Sequence, residues 1–67
     1  MYPDWVNIYT ADTVFKAELV IGILNENGIE AVIFNKQDSA YLFGEIQVYV
    51  HRNSVVLAKR IIENTTL

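Results

Sequence analysis

The chain has no cysteine, which excludes disulfides, thiolate nucleophiles and cysteine-based zinc sites. Its one histidine, His51, has no carboxylate cluster beside it in the sequence, so no metal site is assigned. Proline occurs once, at Pro3, so nothing in the interior of the chain forbids ladder hydrogen bonding. Five basic residues stand against eight acidic ones, for a net charge of -3 without any local basic run. Attraction to phosphate backbones or anionic lipid therefore has no source, and neither nucleic acid nor membrane is expected as a partner. No eighteen apolar residues follow one another, and Met1-Tyr2-Pro3-Asp4 is not a basic region leading into an apolar run. A cytoplasmic protein is expected.

What is present is apolar. Of 67 residues, 52% are hydrophobic and only 19% charged, a balance that favours a folded module over disorder. A chain this short removes only roughly 60% of its unfolded surface from water, so it forms a single domain, 1–67, that gains from self-association.

The apolar spacing changes period along the chain. Trp5 to Thr10 alternates, with Val6, Ile8 and Thr10 on one side and Trp5, Asn7 and Tyr9 on the other, which is the period of a strand. Asp12 or Thr13 is placed to cap a helix running to about Asn27. At about 100° per residue, Thr13, Val14, Ala17, Val20, Ile21 and Leu24 form one broad face of it. Gly28 follows, suited to the left-handed residue that ends a helix. Ile29 to Phe34 reads as a second strand, with Ile29, Ala31 and Ile33 inward, and Glu45 or Ile46 to His51 as a third, with Ile46, Val48 and Val50 inward. Asn53 or Ser54 opens a second helix to about Asn64, with Val55, Ala58, Ile61 and Ile62 on its inner face.

The order is β-α-β-β-α. Right-handed crossover makes the second strand parallel to the first, and the third fills the gap antiparallel to both. The expected fold is α+β: a ferredoxin-like two-layer sandwich with an antiparallel three-stranded sheet in order 1-3-2. Both helices lie on one face and the fourth strand is lacking. One edge of the first strand and one face of the sheet are then left open.

Three stretches carry a further similarity. They are Lys16-Ala17-Glu18-Leu19 with Leu24 to Ala31, then Asn35-Lys36-Gln37-Asp38-Ser39, then Phe43 to Val50. With these the chain resembles a small bacterial family of domains of unknown function labelled as prokaryotic signal-transducing proteins. Members often have proline after the third strand, where this chain has His51. The resemblance implies a signalling class and transfers no functional residue.

The residues themselves offer three candidate surfaces. The 35–45 connection exceeds what a hairpin needs, and Lys36, Gln37, Asp38, Ser39 and Tyr41 provide contacts for a ligand or protein partner. Leu42 and Phe43 are read either as part of that surface or as a plug folding back on the core. Trp5, Tyr9, Phe34 and Tyr49, with Val32, are expected on the uncovered sheet face, where an apolar patch suits self-association. Phe15, Leu19 and Ile23 form a second stripe on the back of the first helix, assigned equally to packing on the second helix and to an interface.

Catalysis finds little support, because Ser39 and Ser54 have no base-and-orienter pair and the carboxylates are scattered. No catalytic residue and no cofactor is assigned. The expected function is a non-enzymatic regulatory or signal-transducing module, homodimeric, binding a protein partner or small ligand through the 35–45 loop and open sheet face. The alternatives are a small enzyme using Asp38 or His51 as an acid-base group, and a domain with structural interaction duties only.

Overall fold

The computed structural model describes residues 3–35 and 45–65. The elements are β1 (Trp5–Ala11), α1 (Val14–Glu26), β2 (Ala31–Asn35), β3 (Ile46–His51) and α2 (Val55–Glu63), with a 3-10 turn at Arg52–Ser54 between β3 and α2. The sheet order is β1-β3-β2, with β3 antiparallel to both neighbours, as expected. The fold is α+β, consistent with a ferredoxin-like arrangement. No helix among the described residues is long and apolar enough to cross a membrane.

Local chemistry explains where α1 begins and ends. Thr13 has extended backbone, and its hydroxyl accepts the Lys16 N–H at 3.2 Å, satisfying a donor that the first helical turn leaves unpaired. At the other end Gly28 has φ +77, a conformation in which a Cβ would be strained. The Gly28 N–H donates to the Asn25 carbonyl at 3.0 Å and the Ile29 N–H to the Leu24 carbonyl at 2.9 Å. This is a Schellman closure, and the apolar contact that accompanies it joins two core residues, Leu24 and Ile29. Ile29 is therefore inward, as its spacing suggests, yet it precedes β2, because its N–H is spent on closing the helix.

The core lies between β3 and the helices. Ile46, Val48 and Val50 of the central strand are fully buried with Ala17, Val20 and Leu24 of α1 and Ala58 of α2. Val55, Ile61 and Ile62 pack against this cluster, as their spacing indicates. Ile33 points the same way but stays 40% exposed, since β2 is an outer strand.

One element departs from its sequence period. Trp5, Val6 and Asn7 pair with His51, Val50 and Tyr49, but the next pair is Tyr9 with Val48, so Ile8 is an extra residue, a β-bulge. The bulge inverts the alternation beyond it. Tyr9 and Ala11 come to lie opposite Val48 and Ile46 on the helix side, while Thr10 pairs with Gln47 on the open side. Tyr9 accordingly packs against the core rather than standing on the open face, and Thr10 is exposed rather than inward. The Asn7 side chain secures the kink, its Nδ2 donating to the Tyr9 carbonyl at 3.1 Å and to the Val48 carbonyl at 3.5 Å.

The start of α2 also differs. Of Asn53 and Ser54, which the spacing offers as its cap, Ser54 occupies the N-cap position, but its side chain makes no cap bond. His51 supplies the acceptor one step earlier, its Nδ1 receiving the Asn53 N–H at 3.2 Å and fixing the 3-10 turn that feeds the helix.

Candidate binding surfaces

Both helices pack on the Val48 side of the sheet, so the opposite side is built from alternate residues of all three strands. Trp5, Asn7 and Thr10 of β1 lie along one border, His51, Tyr49 and Gln47 of β3 down the middle, and Val32 and Phe34 of β2 along the other. The three strands contain no Asp, Glu, Lys or Arg. This surface is shaped by rings and amides rather than by charge.

Two edge-to-face ring pairs organise it. Trp5 meets His51 across β1 and β3 with centroids 6.0 Å apart at 80°, and Phe34 meets Tyr49 across β2 and β3 at 6.3 Å and 77°. Such T-shaped pairs bring a ring's positive edge to another's negative face. Tyr49 is 7% exposed although neither α1 nor α2 packs on its side of the sheet, and its Oη donates to Gln47 Oε1 at 2.8 Å. Phe34 at 49% and Val32 at 42% leave substantial apolar area at the β2 border. Thr10 Oγ1 reaches Asn7 Oδ1 at 3.4 Å, completing a polar strip along β1.

His51 is held as the sequence suggested, as a strand-end residue beside the second helix. Its Nδ1 accepts the Asn53 N–H, so in the neutral ring the proton sits on Nε2. Beside it, Arg52 N–H donates to the Asp4 carbonyl at 2.8 Å and the Arg52 guanidinium lies 3.6 Å from the Asp4 carboxylate, tying the start of β1 to the end of β3. Among the described residues no three His, Cys, Asp or Glu side chains are grouped to hold a metal ion.

The candidate residues separate into three places. Trp5, Phe34 and Tyr49 come together on the open sheet face. Lys36, Gln37, Asp38, Ser39 and Tyr41, with Leu42 and Phe43, lie outside the described residues. On the back of α1, Phe15 is 70% exposed and Leu19 41%, while Ile23 is half-buried. Contact with α2 therefore leaves Phe15 and Leu19 largely uncovered.

Sequence reasoning missed one feature here. The bulge turns Tyr9 toward α1, and with Thr13, Phe15, Lys16 and Leu19 it lines an open groove of about 480 Å³. Asn7 was the available signal, since an amide in a strand interior is unfavourable unless the backbone gives it bonds to make.

Fold and surfaces together describe a small α+β domain whose distinctive parts are a ring-lined sheet face and an apolar helix back. The family described as "putative prokaryotic signal transducing protein" matches residues 5–66, and the chain belongs to that family. Comparison with curated proteins and with solved structures gives no match.

Proposed function

We propose that this domain is a non-enzymatic, cytoplasmic module of signal transduction that recognises a protein partner or a small ligand through its open sheet face and the 35–45 connection. The observation that carries the reading is the uncharged, ring-lined sheet face on the side away from both helices. An apolar patch at the border of such a face, here Val32 and Phe34, marks interaction surfaces on small domains. The lack of cations on the strands favours a protein or small ligand over a nucleic acid, whose phosphates require them. The family description supports the signalling context. His51, whose Nδ1 is taken up by a backbone N–H, serves the structure in this reading rather than acid-base chemistry.

The test uses Trp5 as its reporter, because it is the chain's only tryptophan and borders the face. Purified protein is screened against cytoplasmic metabolites by thermal shift, then used to capture partners from lysate, with a Lys36→Ala/Gln37→Ala/Asp38→Ala variant in parallel. A binder that changes Trp5 emission and is lost in the variant, while melting is unchanged, supports the reading. A loss of stability above about 2 kcal/mol in the variant would show that these side chains are structural and remove them from the site.

A further inference from the structure

The outward side of α1 carries a glycine that nothing among the described residues requires. Gly22 sits in mid-helix without positive φ, is exposed, and an added Cβ there would meet no atom within 4 Å. Glycine at such a position weakens a helix relative to alanine. Its neighbours are equally unexplained. At 100° per residue Phe15, Leu19, Gly22 and Glu26 fall within a sector of about 60° directly opposite the buried Ala17 and Leu24. Phe15 and Leu19 on that sector are 70% and 41% exposed. Large apolar side chains flanking a bare glycine form knobs beside a hole, the relief that lets two helix backbones approach closely.

We infer that α1 pairs with α1 of a second copy of this chain, antiparallel, about a two-fold axis passing between Leu19 and Gly22. Charge decides the direction. Parallel pairing would set Glu26 against Glu26 and align the two helix dipoles. Antiparallel pairing opposes the dipoles and brings Lys16 of each copy toward Glu26 of the other. Lys16 already reaches Asp12 at 3.3 Å and is more than half exposed, so it is available to a second carboxylate. In this register Leu19 of one copy occupies the space above Gly22 of the other. Ile23 of the second copy then falls beside Leu19 and Lys16, at the groove that Tyr9 and Thr13 complete. An interface built on one helix face lies at the small end of the range, so a micromolar or weaker dissociation constant is expected. The contact is on the side away from the open sheet face, so it stands independently of what that face binds.

Sedimentation equilibrium of the native protein from about 10 to 500 μM should show a concentration-dependent dimer. Gly22→Leu fills empty space in the monomer and improves helix propensity, so it should fold with an equal or higher melting temperature while weakening the dimer at least about tenfold. Lys16→Glu and Glu26→Lys should each weaken association, and the double exchange should restore it. A native protein monomeric at about 500 μM, or a Gly22→Leu protein that dimerises as tightly as the native one, overturns the interface. A double exchange that fails to restore association overturns the antiparallel direction.

Discussion

Tyr9 lies opposite Val48 on the core side of the sheet, one position out of step with the alternation that begins at Trp5. The extra residue, Ile8, turns the second half of β1 over, and Asn7 bridges the irregular backbone on both sides. One amide thus bonds to both strands where the tyrosine changes face.

If that amide holds the bulge, Asn7→Leu should cost about 1–2 kcal/mol, the scale of a lost side chain to backbone network, measured by urea unfolding. Deleting Ile8 should keep the register, because Asn7 opposite Tyr49 is then followed directly by Tyr9 opposite Val48, and Ala11 still faces Ile46; the loss is the apolar contact that Ile8 makes with the core. A deletion variant in which Tyr9 turns to solvent, read by its accessibility to iodination, would show that Ile8 is not the extra residue of the strand.

Gly28→Ala is expected to destabilise by about 1–2 kcal/mol, since alanine meets the left-handed penalty at φ +77. Gly28→Asn should recover part of that loss. The ordering alanine below asparagine below glycine in melting temperature is the checkable result, and equal stability would mean that the helix exit relaxes without strain.

Leu24→Ala and Leu19→Ala remove the same atoms from two sides of α1. Leu24 is fully buried, and its truncation should cost about 2–5 kcal/mol, comparable to the whole stability of a domain this small. Leu19, 41% exposed, should cost less than about 1 kcal/mol in the monomer. Leu19→Glu should likewise remain folded by circular dichroism, because its carboxylate stays in water. A globally unfolded Leu19→Glu chain would return the back stripe to the core.

His51→Ala should loosen the 3-10 turn and cost about 1 kcal/mol, the usual loss when a capping acceptor is removed. His51→Asn, which keeps an acceptor at short reach, should restore most of it. Both variants remove the ring facing Trp5, so the indole emission should shift in each even where stability is regained. Unchanged emission would place the indole's environment elsewhere.

Much of the architecture was legible in the chain. The helix spans, the exit at Gly28, the inward row Ile46, Val48 and Val50, and the 1-3-2 order follow from periods, backbone sterics and crossover handedness, each acting over a few residues or through a general rule. The bulge was not legible in the same way, since two residues facing one is a relation between β1 and β3 rather than a property of either. For that reason Tyr9 and Thr10 exchanged sides. The second helix and its cap position, Ser54, were correctly placed, but the acceptor at His51 was not legible, because it reaches the Asn53 N–H only where β3 turns into the 3-10 segment. The apolar back of α1 could be read as packing or as interface from spacing alone. Only the position of α2, which leaves Phe15 and Leu19 uncovered, decided that one protomer does not bury it, because burial depends on what stands opposite a side chain and not on the chain that carries it.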